Sequence, residues 1–525
     1  MTRLIYALLC VLLLTSFAES GVIVKSKSVL SGSGDGILRG RVELDRAGIA
    51  DLRRGDMVVW EVDGRSIALL TQDVEVTPDG RGFVWTGRSI SDGLPFILSA
   101  YDGYVSGSAF WDGVEARIVF PSGGGEGVVE KMIGVVFPSN EGDAVIPPDV
   151  ADVMRAGDLA VRASGSISSD GYIDILALYS RELRDYLGGE SGVKAEINKV
   201  IAYVNEAFAN SGVNFRARVV DFKEVDFDVS DINAVLESMY HGSGVFSFLP
   251  SLMDQLGADQ ATAFFRFRMD KTYYCGIAYM PNRVEYWTDS SYESFRKSIF
   301  RALVGIGSDG IFSCPVSTFA HELGHNLGCH HDVKNVSPSG EEPLFPYAHG
   351  YCGDSYGTVM SYCYPRIPYY SENRVVEGKV IGDLESENAK VIRWTAPYLS
   401  AVRERVNVDQ FFTAKGKVAY QNGRGVAGVE VRIYNGNELF KKTVTDASGA
   451  WSVSGLTTGT SYKVLPVLSE NLVRKFNVVP QYVLIDGVSS STADFTLVRV
   501  KAKGASIVVS AGEEQISFDF MKGDK

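Results

Sequence analysis

Residues 321–332 read HELGHNLGCHHD, and four of the six histidines in this 525-residue chain fall inside that stretch. On an α-helix, a side chain four residues on lies above the first, so His321 and His325 project together and can reach one small cation. Phe319, Leu323 and Leu327 fall roughly 160 to 240 degrees round from them, by the helical step of about 100 degrees, which makes one face core and the other face site. Ser317 or Thr318 is placed to cap the start of the helix. Gly328 is the expected left-handed residue that ends it. A sharp turn at Gly328 lets a later side chain swing back to the same cation, and the recurring spacing HExxHxxGxxH puts that ligand three residues on, at His331. His330 is then surplus and is expected to face solvent, while His241 and His349 are expected to be ordinary residues.

Three neutral imidazoles leave the fourth position of a tetrahedral zinc site open, which distinguishes catalytic sites from closed structural ones. Zinc lowers the pKa of its water to ~7, and Glu322, next to the first ligand, is placed to take that proton and deliver it to a leaving amine. The expected chemistry is hydrolysis of a peptide bond without a covalent intermediate. A closed zinc-storage site fits less well, because it would favour more thiolates.

Residues 1–20, MTRLIYALLCVLLLTSFAES, have a basic Arg3, an apolar run and small residues at Ala18 and Ser20, the pattern of a secretory signal peptide cleaved before Gly21. The run falls short of the ~20 residues that span a bilayer, and no later apolar segment is long enough, so an exported, secreted protein is expected. The net charge of -13 disfavours nucleic acid or anionic membrane as a partner. Five of the six cysteines, Cys275, Cys314, Cys329, Cys352 and Cys363, share the stretch that holds every histidine. In an exported protein this predicts one disulfide-stapled domain with a cysteine left over. Cys275 with Cys314 and Cys352 with Cys363 would each close a loop round the site, although spacing leaves the pairing open.

A chain of this length implies about two to four domains. Residues 21–165 alternate short apolar runs with Gly, Asp, Ser and Pro, as in GDMVVWEVDGRSIALL, and predict a β-rich domain with tight turns. The texture then changes: GYIDILALYS predicts a buried strand, VKAEINKVIAYVNEAFANSG a helix ended by Gly212, and NFRARVVDF another strand. Residues 166–406 are thus expected to be a mixed α/β domain, closed by a helix in ENAKVIRWTAPYLSAVRERV that Pro397 kinks or divides. From 407 to 525 the pattern returns to period two with turns at NGRG, NGNE and DASG, which predicts a C-terminal β-sandwich.

Taken with HELGHNLGCHHD, the segment GTVMSYC, whose Met360 follows His331 by about thirty residues, resembles the metzincin zinc endopeptidases and their methionine turn. Asp332 and the wording HELGHNLG resemble the reprolysin/adamalysin branch, and the combination is similar to bacterial reprolysin-like enzymes, including the peptidyl-Asp metalloendopeptidases. The resemblance implies a metzincin α+β catalytic domain with a twisted mixed sheet, one catalytic zinc, protein or peptide substrates and zinc metalloendopeptidase activity; calcium is not readable. One departure is Tyr362, two residues after Met360, which resembles the metal-side tyrosine of astacins and serralysins and implies a donor to the tetrahedral oxyanion. Arg366, in the pocket-wall segment CYPRIPYYSEN, would by the same resemblance favour an acidic substrate side chain.

The N-terminal β-rich segment resembles a propeptide that keeps the enzyme latent as a zymogen, with processing in VMRAGDLAVRASGSISSDG. Residues 21–274 contain no cysteine, so latency by a thiolate on zinc is excluded and a carboxylate or a steric plug is left. The C-terminal module resembles carboxypeptidase-regulatory-like and Ig-like sandwiches, for which a surface, a glycan or a protein is the candidate partner. A rival reading is an extracellular or cell-surface binding protein built on an inactive peptidase scaffold. The intact Glu322, ligand set and Met turn weigh against it.

Overall fold

A computed structural model describes residues 22–499 and 506–519, apart from segments 33–35, 46–48, 50–51, 78–80, 123–125, 134–141, 148–170, 310–311, 337–341, 405–410, 436–437, 458–460, 486–490, 500–505 and 512–513. The expected signal peptide with Cys10, and the expected processing stretch up to Asp170, lie outside the described residues. The chain divides into two compact units, one comprising Met1–Thr77 and Arg81–Asn407, the other containing Val408–Lys525.

The N-terminal strands are β1 (Val22–Ser26), β2 (Ser31–Gly32), β3 (Leu38–Leu44), β4 (Met57–Val62), β5 (Arg65–Val76), β6 (Gly82–Ser89), β7 (Pro95–Tyr101), β8 (Tyr104–Trp111), β9 (Val114–Phe120) and β10 (Glu126–Lys131). They pair in the order β1-β4-β5-β6-β7-β8-β9-β10-β3, and β1 pairs again with β3, so nine strands close a barrel with β2 attached outside β3. Three of its hairpins turn on Asp-Gly pairs, Asp63-Gly64, Asp102-Gly103 and Asp112-Gly113, in which both residues have positive φ. That is the two-residue turn whose twist matches the flanking strands. Trp60, Trp85, Phe96 and Phe120 fill the interior, with the two indoles stacked 6.2 Å apart. Closure is what the β-rich reading lacked: alternation along each strand is the same in an open sheet and in a barrel.

The central sheet has the order β11-β15-β16-β14-β12-β13, from β11 (Ala144–Val145), β12 (Tyr172–Tyr179), β13 (Arg216–Glu224), β14 (Gln260–Arg266), β15 (Gly276–Tyr279) and β16 (Arg301–Ile306). It is mixed: β12, β13, β14 and β16 run parallel, whereas β15 is antiparallel to β16. Helix α1 (Glu190–Asn210) buries Val193, Ile197, Val200, Tyr203, Val204 and Phe208 and packs against β7 and β8 of the barrel as well as against β13. Helix α2 (Thr318–Asn326) lies against β15 and β16. The closing helix α3 (Asn388–Leu399) contains Pro397 in its last turn and stops two residues later, so the proline ends the helix rather than dividing it. Both disulfides, Cys275–Cys314 and Cys352–Cys363, are present, and Cys329 is a buried free thiol. No helix among the described residues is long and apolar enough to cross a membrane.

In the second unit, strands Ala450–Thr457, Phe411–Tyr420, Phe495–Arg499 and Phe476–Val479 form one four-stranded sheet, and Glu438–Val444, Glu430–Asn435, Tyr462–Val467 and Val483–Ile485 form another. Val429, Val431 and Ile433, on one face as their period-two spacing requires, join Val418, Trp451 and Phe495 in a shared core.

The contact between barrel and α1 is polar as well as apolar. Glu196 of α1 accepts a hydrogen bond from Lys199 Nζ at 2.7 Å and one from Ser106 of β8, and lies 3.8 Å from the Arg117 guanidinium of β9. Burial alone would push the Glu196 carboxyl up; Lys199 and Arg117 outweigh it and hold the group down at about 2. Removing one partner of a buried pair leaves an uncompensated charge. We therefore expect Lys199→Ala to destabilise the intact chain by about 3 kcal/mol in urea unfolding. A loss below about 1 kcal/mol would mean that water reaches this cluster.

Candidate active site

Helix α2 is set by its two ends. Ser317 occupies the N-cap position, yet its hydroxyl makes no capping bond, and Thr318 Oγ1 donates to the carbonyl of Pro315 instead, so the expected side-chain cap is absent. The C-terminal end follows the expectation. Gly328 has φ +81°, its N–H donates to the carbonyl of His325 at 2.8 Å, and the N–H of Cys329 donates to that of Gly324 at 2.9 Å. This paired closure is the Schellman motif, and it turns the chain so that His331 faces back toward the helix. Phe319, Leu323 and Leu327 are fully buried on the other face.

One ligand-type atom from each of His321, His325 and His331 lies within 4.8 Å of the others, and so does a fourth, from Asp143, immediately before β11. His331 Nε2 is 3.0 Å from His325 Nε2 and 2.8 Å from Asp143 Oδ1. Asp143 is also 3.5 Å from His325 Nε2 and 3.4 Å from His321 Nε2. Atoms about 2.0–2.1 Å from a tetrahedral zinc lie about 3.3 Å from one another, so this donor set fits that ion. Asp143 Oδ2, His321 Nε2 and both oxygens of Glu322 are buried without a hydrogen-bond partner, and buried polar atoms of this kind call for a further partner. His321 Nδ1 donates to the carbonyl of Val359 at 2.9 Å and His325 Nδ1 to that of Cys329 at 2.9 Å, which leaves each Nε2 unprotonated toward the centre. Burial, with Arg366 nearby, holds His321 well below the usual histidine range, and burial lowers His331 too.

Glu322 is fully buried against β15, where a Cβ on Gly276 would come within 2.2 Å of its Oε1. Burial first and the Asp143 charge second raise the Glu322 carboxyl well above its ordinary range, against the pull of Arg366. Met360 is fully buried and its sulfur fits against Gly324, where a Cβ would sit 2.3 Å away. Asp332 accepts the N–H of Tyr362 at 3.0 Å, and Asn335 Nδ2 donates to both of its carboxylate oxygens at 2.8 and 3.0 Å, which ties the third-ligand loop to the segment after Met360. The Tyr362 hydroxyl donates to Asp143 Oδ1 at 3.0 Å and is 3.1 Å from His331 Nε2, so this side chain reaches the centre. Arg366 is 5% exposed; its Nε donates to the carbonyl of Ser361 at 2.6 Å, its guanidinium lies 4.8 Å over the Tyr364 ring, and no carboxylate pairs with it among the described residues.

His330 departs from its expectation. It is fully buried, its Nδ1 accepts the N–H of His331 at 2.8 Å, and its ring stacks on His349 5.7 Å away. His349 in turn donates from Nδ1 to the carbonyl of His331 at 3.0 Å, so the two surplus histidines hold the backbone of the third ligand from both sides. His241 is half exposed, with 52% of its side chain accessible, and lies outside the cluster. Two further residues went unread in the sequence. Asn326 donates to the carbonyls of Tyr279 and Arg301, pinning the end of α2 to β15 and β16, and Asp143 itself carries no spacing signal.

A helix supplying two imidazoles, a glycine turn supplying a third and a buried glutamate between them define a metallopeptidase-type centre under the edge of a mixed sheet. The sequence profile of Reprolysin_5, described as Metallo-peptidase family M12, matches residues 170–371, and this segment is a reprolysin-like metallopeptidase domain. A peptidyl-Asp metalloendopeptidase of Pseudomonas aeruginosa is 27% identical over 237 residues, covering 41% of this chain and 37% of that protein. One of Stenotrophomonas maltophilia is 23% identical over 373 residues, covering 66% of this chain and 82% of that protein. The match thus spans little more than a third of the first relative and most of the second. Among solved structures, metalloproteinase-II from Bacteroides fragilis aligns at 11% identity and a TM-score of 0.33 over 60% of this chain and 87% of that one.

Gly276 makes a local test. Gly276→Ala places a methyl group where the Glu322 carboxylate now lies, so peptide hydrolysis at this centre should fall by about tenfold or more while the metal content stays unchanged. Retained turnover would show that Glu322 works from another position.

Proposed function

We propose that the chain is a secreted zinc-dependent endopeptidase, exported by a signal peptide over residues 1–20 and made as a latent zymogen. In this reading residues 21–165 are its prodomain, 166–406 its catalytic domain, and 407–525 a C-terminal β-sandwich that binds a surface, glycan or protein. The observation that carries the activity is Glu322, a buried carboxylate with no hydrogen-bond partner beside three imidazoles whose Nε2 atoms converge. His321, His325 and His331 would hold the zinc, which would supply a water of lowered pKa and polarise a substrate carbonyl. Glu322 takes the proton and passes it to the leaving amine, a role that its raised pKa suits. Tyr362 donates its hydroxyl to the developing oxyanion once Asp143 is gone. Asp143, which lies 2.8–3.5 Å from the three imidazoles in the intact chain, supports the zymogen reading.

Glu322→Ala in the processed enzyme should retain about one zinc per chain and lose turnover by about a thousandfold on a mixed peptide library. Cleavage at the wild-type rate would remove Glu322 from the mechanism, and zinc bound by both proteins with cleavage by neither would favour the inactive-scaffold reading.

For substrate choice we propose an acidic side chain read by Arg366, supported by its burial without a carboxylate partner and by two relatives named peptidyl-Asp metalloendopeptidases. Arg366→Ala should slow cleavage beside Asp or Glu by about tenfold or more while sparing neutral sites. An equal loss at all sites would make Arg366 a purely structural residue.

A further inference from the structure

We propose that Tyr364 is a positioning residue for substrate choice: its ring holds the Arg366 guanidinium in place, so that the site accepts a substrate carboxylate and rejects the amide of the same shape. The proposal rests on the reading that Arg366 meets an acidic side chain, and it names what gives that arginine its selectivity.

A guanidinium favours a carboxylate over an amide when two parallel N–H donors each find an acceptor, which Asp supplies and Asn does not. A long side chain presents donors that way only when it is held, and Arg366 is held at three points. Its Nε donates to the carbonyl of Ser361 at 2.6 Å, its guanidinium carbon lies 4.8 Å from the centre of the Tyr364 ring, and its own carbonyl accepts the hydroxyl of Tyr203 at 3.1 Å. With Nε bound to Ser361, the Nη groups are left for a ligand, and no carboxylate among the described residues pairs with this buried side chain. An aromatic face attracts a cation without taking a hydrogen from it, so Tyr364 steadies the charge and leaves those donors forward.

Tyr362 connects this position to the histidine centre. Its hydroxyl is 3.1 Å from His331 Nε2, and its ring lies 5.9 Å from the Arg366 guanidinium carbon. One ring therefore separates the guanidinium from a ligand histidine, which brings it within reach of a side chain flanking a bond cleaved at the centre. The segment carrying both tyrosines is closed on itself. The N–H of Gly357 donates to the carbonyl of Pro365 at 3.0 Å, that of Ile367 donates to the carbonyl of Gly357 at 2.8 Å, and Cys363 is joined to Cys352. Donors placed in advance by such a frame lose little freedom when a ligand arrives.

The test compares two peptides that differ only in Asp or Asn beside the cleaved bond, using zinc-loaded enzyme expressed from the full-length chain. In the parent we expect kcat/KM for the Asp peptide to exceed that for the Asn peptide by about tenfold or more. Tyr364→Leu should bring the ratio to within about twofold, whereas Tyr364→Phe, which keeps the ring, should retain it. An unchanged ratio in Tyr364→Leu, or an equal fractional loss on both peptides, overturns the proposal. Arg366→Ala separates it from the reading beneath. If that variant keeps the ratio, the acid is read elsewhere and both fail; if it loses the ratio while Tyr364→Leu keeps it, the role of Tyr364 alone is overturned. A parent that does not favour the Asp peptide overturns the acidic-substrate reading and this proposal together. A second readout needs no turnover: in the isotope-labelled full-length chain, the NMR signal of the Arg366 Nε–H is identified by its loss in Arg366→Lys. It should exchange with solvent at least about tenfold faster in Tyr364→Leu than in the parent or Tyr364→Phe. Equal exchange in all three overturns the proposal. Should Tyr364→Leu not fold, Arg366→Lys decides, because it keeps the charge without the planar fork, and full retention of the Asp preference there overturns the proposal.

Discussion

Four ligand-type atoms inside 4.8 Å, all buried, are the constraint on which this architecture turns. Burying so many polar groups together is costly unless each is compensated, so whatever holds them together must be rigid enough to oppose separation. The chain meets this from three directions. α2 supplies two imidazoles at fixed spacing, the Gly328 turn returns the third, and Asp143 brings a carboxylate from the segment leading into β11. Each imidazole is oriented from behind: Val359 and Cys329 carbonyls fix the rings of His321 and His325, while His330 and His349 clasp the backbone at His331.

Behind those bonds lies a layer in which small residues matter as much as polar ones. Gly276 opens room for the Glu322 carboxylate and Gly324 admits the sulfur of Met360, so the site is shaped by two absent methyl groups. Asn326, packed between β15 and β16, passes the rigidity of the sheet to the helix through two hydrogen bonds to strand carbonyls and one accepted from Gln260. The disulfides add covalent closure on either side, one between the residue before β15 and the approach to α2, the other across the segment containing Met360. A centre held this way spends little free energy on reorganisation when a substrate arrives.

What the sequence made legible was local. The helical spacing of His321 and His325, the turn at Gly328 and the tight turns between the N-terminal strands each arise within a few residues, so period and turn chemistry reveal them. His330 departs from the local reading because a polar residue just after a helix is usually exposed, whereas here the ring stacks on His349 from a distant segment and its Nδ1 accepts the N–H of His331. Barrel closure was hidden for a related reason: the pairing of β1 with β3 and with β4 leaves no mark on the alternation of any strand. Asp143 was beyond reach altogether. The absence of cysteine narrowed the possible blocking groups to a carboxylate or a plug, but nothing near NEGDAVIPP distinguishes this aspartate from the other acids of the segment.

The contact between barrel and α1 combines buried charge with apolar packing. Glu196 and Lys199 are both on α1 and pair with each other, so they remain neutralised whether or not the barrel is present. On the barrel side, Glu115 accepts the N–H of Val316 at 3.1 Å, at the approach to α2, and its burial pushes the carboxyl up to about 7. Its folded value lies above its ordinary one, so its contribution to docking is complete below about pH 4.5 and is lost as pH rises through about 7. Buried charge of this kind returns little net strength, because desolvation offsets much of the attraction, but it penalises every wrong register. The barrel is therefore positioned by its polar groups and retained mainly by the apolar contacts of Ile97 and Phe110 with the central core. Accurate placement matters more than strength here, because a one-residue shift of β11 along β15 would bring Ala144 in place of Asp143 before the three histidines.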